Sequence, residues 1–392
     1  MRVLLFLWFA LTAFAERPYV LLISLDGFRS DYAQKYHAQN LLEMAEQGAS
    51  AKGLIPSFPS LTFPNHITLV TGMYPEHHGI VGNNLYDPVR KQEFSMSAAS
   101  TDGSWYKAKP LWVLAEQQGI RTACMFWPAS DAEIDGVRPS AWFKYDGRVP
   151  NQKRVDQILT WLKLPEPQRP HFLTLYFDDV DSAGHTYGPD APETGAAVQR
   201  VDALIGELRR GIAGSGLPVN IIVVADHGMQ YAPELIALAS FTDLSGVRVI
   251  SGGPFALLYS PDAGTTERLY RDLHGKSPKF EVYRRMDVPE HLHYSADPRI
   301  GDLVVIVNEP VQLTVREQPG GHVSPGRHGF DPARFPTMRA IFVAAGPNIR
   351  RRARLGLVEN TGVMPFIAKI LNLKLPPGLD GTDKSFRRAY RP

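Results

Sequence analysis

Three aspartates and three histidines stand where they could hold metal ions. Asp26 closes the run YVLLISLD, and Asp226 with His227 closes NIIVVADH. Asp181 and His185 lie four apart in VDSAGH, and His328 sits in the loop GRHGF. Carboxylate oxygens and imidazole nitrogens form the ligand set that suits zinc where no thiolate is at hand. Each motif alone is ordinary, because a strand-end aspartate commonly caps a helix or forms a turn. Together these side chains suffice for two metal ions with positions left open for substrate. His322 competes with His328, since both lie in one glycine-rich loop. His291 and His293 in EHLHY have a spacing that could clamp a metal, but a solvated loop explains them as well. His77 and His78 read as turn residues after Pro75.

A nucleophile is offered by SFPSLTFPNH, residues 57–66, where Pro59 and Pro64 bracket Ser60 and Thr62. An apolar run follows at once, so the stretch predicts a helix start, with Thr62 near the N-cap and Pro64 in the first turn. Helix N-termini present free N–H groups and a partial positive charge, which suits a phosphate. A hydroxyl placed there on a metal ion would lose its proton near neutral pH and become a nucleophile. Thr62 fits that place better than Ser60; a plain N-cap is the competing role.

The elements that must position these groups are legible as alternating patterns. YVLLISLD, FLTLYFDDVD, NIIVVAD and AIFVAAGP read as strands buried on both faces, the first three ending in acids. NLLEMAEQG, PLWVLAEQQG, QKRVDQILTWLKL, ETGAAVQRVDALIGELRRGI and GVMPFIAKILNL read as helices. The alternation predicts an α/β fold with a mostly parallel sheet and helices on both faces, whose ligands lie beyond the carboxyl ends of the strands. Residues 245–325 read as shorter strands with turns, an inserted lid-like subdomain within one catalytic domain spanning 16–392.

The chain has 392 residues, 44% apolar and 21% charged, with a formal net charge of +2. That balance gives no case for a nucleic-acid-binding surface. Arg2, the apolar stretch VLLFLWFALTAF and Ala13-Phe14-Ala15 read as a signal peptide over residues 1–15. An exported protein, periplasmic or secreted, is the expectation, with no membrane span after signal removal. The single cysteine, Cys124, lies in an apolar strand-like run and reads as a buried structural thiol.

The motifs SLDGFR, PSFPSLTFPNHITLVTGMYPEHHGIVGN, FWPASDAEI, VDSAGHTYGP, VADHGM and RHGFDP follow one another in this order. On them the sequence, from about residue 18 to 348, resembles the nucleotide pyrophosphatase/phosphodiesterase family of the alkaline phosphatase superfamily, in its compact bacterial form. The resemblance implies an alkaline-phosphatase-like core, two zinc ions and a threonine nucleophile. By motif position it implies Asp26, Thr62, Asp226 and His227 around the first zinc, and Asp181, His185 and His328 around the second. It thereby chooses His328 over His322, Thr62 over Ser60, and Asp181 over Asp178 and Asp179. Asn83 matches the asparagine that contacts a phosphoryl oxygen, and it is expected to do so together with the backbone N–H of Phe63. Phe63 and Tyr176 match aromatic positions that line the substrate, often a nucleobase.

The expected substrate is a small nucleotide or other phosphodiester, cleaved to a nucleoside 5′-monophosphate through a threonyl-phosphoryl intermediate. No Arg or Lys adjoins Thr62 in sequence, which favours diesters over monoesters unless a distant Arg folds in. A choline-type phosphodiesterase, a phosphomonoesterase or phosphonate hydrolase, and a binding protein without turnover are the competing readings.

Overall fold

The structure, a computed structural model, describes residues 17–317, 320 and 323–392. The signal-peptide expectation and His322 lie outside the described residues. In chain order the first elements are β1 (Tyr19–Leu25), α1 (Gln39–Gln47), β2 (Ala49–Ile55), α2 (Thr62–Thr71), α3 (Leu111–Gln117), β3 (Thr122–Met125) and β4 (Ala141–Trp142). Next come α4 (Asn151–Leu162), β5 (Phe172–Phe177), α5 (Asp179–Tyr187), α6 (Pro192–Ser215) and β6 (Val219–Val224). The second half holds β7 (Arg248–Ser251), β8 (Phe255–Tyr259), α7 (Ala263–Leu273), β9 (Phe280–Arg284), β10 (Leu303–Val307), β11 (Phe342–Ala345), β12 (Ala353–Glu359) and α8 (Val363–Ile370).

Eight strands form one sheet in the order β12-β2-β11-β6-β1-β5-β3-β4. Only β11 runs antiparallel to its neighbours β2 and β6; the other pairings are parallel. Every residue of β1, β5 and β6 is buried, which is why their sequences run apolar without alternation: both faces are covered. Cys124 lies buried in β3 with a free thiol.

The register sets the site. Leu25 pairs with Phe177, and Ser24 pairs with Val224. The central strands β1, β5 and β6 therefore end side by side, and the residues after them share one rim. Asp26 follows β1 directly, and Asp226 and His227 lie just beyond β6. Asp181 is different from the strand-end acid that FLTLYFDDVD suggests: β5 stops at Phe177, and Asp181 stands in the first turn of α5.

Within 245–325, β7-β8-β10-β9 make an antiparallel sheet. It is packed on both faces, as the period of two requires. Phe255, Leu257, Tyr259, Val304 and Ile306 join the main core. Ala256, Leu258, Leu303, Val305 and Val307 face a second core with Leu269 and Leu273 of α7. That helix is absent from the reading of the region as strands and turns. Its start is a capped one, with Asp262 accepting the Thr265 N–H.

Candidate active site

Thr62 is the first residue of α2, and Leu61, in an extended conformation, is the N-cap. Thr62 therefore stands one residue past the N-cap, and among the described residues its hydroxyl makes no hydrogen bond to the α2 backbone. Its Oγ1 instead lies 3.3 Å from His227 Nε2. The loop before it is braced by Asn65, whose Oδ1 accepts the Ser57 N–H and whose amide donates to the Pro59 and Leu61 carbonyls.

The histidines share one arrangement. His185 Nδ1 faces the Gly326 carbonyl at 2.9 Å, His227 Nδ1 the Gly228 carbonyl at 2.9 Å, and His328 Nδ1 the Ser60 carbonyl at 3.1 Å. A carbonyl only accepts, so each Nδ1 carries a proton, and Nε2 is the ring nitrogen turned toward the carboxylates. Those Nε2 atoms converge. His185 and His328 approach to 3.0 Å, and both lie within 3.5 Å of Asp181 Oδ1. His227 Nε2 lies 3.0 Å from Asp226 Oδ2 and 3.4 Å from Asp26 Oδ1.

Asp26 Oδ1, Asp181 Oδ1 and Asp226 Oδ2 are buried, without a hydrogen-bond partner among the described residues. Buried carboxylate oxygens left unpaired are costly. Together with the imidazole Nε2 atoms turned toward them they form a set of ligand atoms that a cation would complete. The residues present therefore fit divalent metal ions.

Charge within the cluster says the same. Burial raises Asp26 well above the ordinary carboxylate range, and the Asp226 and Asp181 charges add to this. Burial also raises Asp181, against the opposing pull of His185 and His227. Burial acts upward on Asp226 too, but His227 and His66 hold it well below the usual value. Burial, with His227 and His185 nearby, pushes His328 well down.

Proximity alone groups Asp26, Asp226 and His66 as one cluster and Asp181, His227 and His328 as another. The second ring nitrogen separates His66 from the three histidines above. Its Nδ1 lies 2.8 Å from the Thr62 carbonyl and 3.3 Å from Asp226 Oδ2, both acceptors, so it bears a proton. Its Nε2 then accepts from the Ser24 hydroxyl at 2.8 Å. His66 thus braces the start of α2 through the Thr62 carbonyl and stands beside Asp226. The sequence reading omits it, although it stands one helical turn after Thr62.

Asn83 is half-buried, and its Oδ1 accepts the Phe63 N–H at 2.9 Å. This corrects the picture of two free donors aimed at one oxygen: the Phe63 N–H is spent on Asn83, and the Asn83 amide nitrogen remains. Tyr176, near the end of β5, donates its hydroxyl to Asp26 Oδ2 at 2.6 Å, a contact the sequence does not announce. Gly27 has φ +68°, and a Cβ there would lie 2.9 Å from Asp181 Cα, so glycine lets the β1 loop close on α5. His291 and His293 are not part of the cluster: His291 faces Asp331, and His293 stacks on Tyr74.

Two cavity lobes meet at Thr62 and Asp181. One, about 520 Å³, is lined by Phe63, Phe126, Trp127, Tyr145 and Tyr176, with Asp131 among them. The other, about 730 Å³, holds Asn83, His185 and His328, and is walled by the 248–327 region. Arg327 lines this second lobe, close enough to Asp181 for their charges to attract, which the local sequence does not suggest.

A family model described as "Type I phosphodiesterase / nucleotide pyrophosphatase" matches residues 20–331. An uncharacterized pyrophosphatase/phosphodiesterase of Schizosaccharomyces pombe is 38% identical over 91% of this chain and 78% of its own length. Human ectonucleotide pyrophosphatase/phosphodiesterase family member 1 is 36% identical over 96% of this chain, which spans 42% of that relative's length. A venom phosphodiesterase of Crotalus durissus collilineatus is 34% identical over 96% of this chain and 47% of its own. Among solved structures, murine ectonucleotide pyrophosphatase/phosphodiesterase 5, as an inactive threonine-to-alanine variant in complex with AMP, superimposes with a TM-score of 0.90. That match has 28% identity and covers 95% of this chain and 100% of the other.

Proposed function

This chain belongs to the type I phosphodiesterase / nucleotide pyrophosphatase family, within the alkaline phosphatase superfamily, and on that premise we propose that it hydrolyses nucleotide phosphodiester and pyrophosphate bonds to release a nucleoside 5′-monophosphate. The observation that carries the proposal is Thr62 Oγ1 against His227 Nε2, at the junction of an aromatic lobe and a polar one.

Asp26, Thr62, Asp226 and His227 would hold one zinc ion, and Asp181, His185 and His328 a second. Bound there, the ions supply positive charge that favours an ionised hydroxyl and offsets charge on the phosphoryl and leaving oxygens. Thr62 Oγ1 attacks phosphorus, the bond to the leaving oxygen breaks, and a threonyl phosphodiester of the retained nucleoside forms. Water then cleaves that ester, which releases the 5′-monophosphate and restores Thr62. The Asn83 amide nitrogen, held by its own Oδ1 bond to Phe63, is the donor aimed at a non-bridging oxygen. His66 fixes the Thr62 backbone through its carbonyl. Phe63 and Tyr176 give the retained base an aromatic lining, and base stacking is worth about 1–3 kcal/mol per base. The AMP bound by the murine relative supports a nucleotide in such a site.

A second reading has its own observation. Asp131 and Asp178 line the aromatic lobe, and carboxylates among aromatic rings also suit a quaternary ammonium. The test is turnover by the zinc-loaded protein of p-nitrophenyl thymidine 5′-monophosphate against p-nitrophenyl phosphocholine. Higher kcat/KM on the nucleotide ester supports the nucleotide reading. A preference for the choline ester moves the function to choline-type diesters. Turnover of neither ester refutes both.

A further inference from the structure

We propose that Arg327 reads the charge of the leaving group, so that the lobe beside Asp181, His185 and His328 takes a phosphate-bearing leaving group such as pyrophosphate. The proposal rests on the phosphodiesterase reading above.

Attack in line places the leaving oxygen on the far side of phosphorus from Thr62 Oγ1, and the retained nucleoside occupies another direction. The aromatic lobe, with Phe63, Tyr145 and Tyr176, suits the retained base. The departing group is then left with the second lobe, which contains Asp181, His185 and His328. A neutral leaving group would gain nothing there from a guanidinium.

Arg327 is held for a purpose beyond packing. Its Nε donates to Gln312 Oε1 at 2.5 Å. Gln312 is buried, and its amide nitrogen donates to the carbonyls of Ala232 and Ser324, which turns Oε1 toward Arg327. Among the described residues the two terminal nitrogens of Arg327 have no hydrogen bond, and no carboxylate lies within 4.0 Å of the guanidinium. Asp181 attracts this half-buried, oriented guanidinium from beyond contact distance; its two terminal nitrogens, without a hydrogen bond among the described residues, form a planar fork that suits phosphate. Arg316, exposed at the edge of the same lobe, adds positive charge, and Glu317 is the acid beside it.

The experiment compares kcat/KM on ATP and on p-nitrophenyl thymidine 5′-monophosphate for zinc-loaded wild type, Arg327→Ala and Arg327→Lys. ATP loses pyrophosphate; the ester loses p-nitrophenolate, a single anionic oxygen with no phosphate for a guanidinium fork to hold. Removing one charge-assisted contact predicts a loss on ATP roughly 10- to 150-fold greater than on the ester, with Lys intermediate. Equal losses on both substrates would overturn the proposal, because they would mean that Arg327 only braces the neighbouring His328. Inorganic pyrophosphate titrated calorimetrically into the same proteins gives a readout without turnover. Weaker binding by Arg327→Ala, at equal zinc content, supports the assignment. Equal binding, or none to wild type, refutes it. A wild type that cleaves neither substrate refutes the phosphodiesterase reading, and the pyrophosphate titration still decides the role of Arg327.

Discussion

The Tyr176 hydroxyl donates to Asp26 Oδ2 at 2.6 Å, and this leaves Oδ1 as the oxygen of Asp26 that faces His227. One tyrosine thus serves two ends: its ring lines the aromatic lobe, and its hydroxyl aims a candidate metal ligand. Removing the two parts separately should give different phenotypes. Tyr176→Phe keeps the ring and should weaken zinc binding or turnover about 10- to 100-fold, as loss of an outer hydrogen bond to a ligand does. KM for a nucleotide ester should change little. Tyr176→Leu should raise KM as well. Steady-state kinetics with zinc titration checks both; a Phe variant with unaltered zinc affinity and kcat would show that the hydroxyl positions nothing.

Thr62→Ala should abolish at least about 100-fold of turnover while leaving stability within about 1 kcal/mol. The reason for the second half is structural: the hydroxyl caps no helix, so its loss frees no α2 N–H. Acid quenching during turnover of ATP labelled at the α-phosphate should trap labelled wild type and no labelled variant. Label on the Ala variant would assign the nucleophile elsewhere, with Ser60 the nearest hydroxyl in sequence. Ser60 is poorly placed for that, because its Oγ donates to the Phe330 carbonyl and accepts the Gly329 N–H.

Chelation should lower the melting temperature as well as activity. Three carboxylates with unpaired buried oxygens repel one another without a cation, and burial already raises Asp26 and Asp181. A metal that binds only the folded chain stabilises it by about 4 kcal/mol at a thousandfold excess over Kd. Calorimetry before and after EDTA, then with zinc or magnesium added, measures this. Zinc should restore the transition and magnesium should not, since imidazole suits zinc. A melting temperature indifferent to chelator would remove the case for metal here.

How far the sequence carried this site depends on the range of each contact. Asp26 and Asp226 are readable because fully buried parallel strands announce their ends by the first acid after an apolar run. Asp181 and His185 are readable as a pair, but their helix is not, because FLTLYF runs into DDVDSAGH without a break. The boundary of α2 is off by one residue, and that residue decides whether Thr62 caps a helix or faces His227. The bracing groups are hidden for a different reason. His66 with Ser24, Tyr176 with Asp26, and Gln312 with Arg327 pair side chains far apart along the chain or in separate elements. No local period or spacing encodes them.

His78 offers a pH test away from the candidate metal ligands. It is fully buried in the short turn of helix after Pro75. Its Nδ1 accepts the Ile80 N–H at 3.2 Å, so the proton of the neutral ring is on Nε2, which donates to Thr68 Oγ1 at 3.1 Å. A second proton would have to enter where the Ile80 N–H already points. Burial accordingly lowers His78 from 6.5 to about 3. In the unfolded chain the ring titrates normally, so between those values the unfolded state binds more protons and stability decreases as the pH is lowered. The loss begins below about 6.5 and is complete near the folded value, on the order of 3–5 kcal/mol in all. His78→Gln removes the titrating ring and should flatten this part of the profile. Urea unfolding of metal-free wild type and variant from pH 7 to 4 measures the difference between the two slopes, in which the shared titration of the other histidines cancels. Parallel profiles would mean that His78 is protonated in the folded protein and that its bond to Ile80 does not hold in solution.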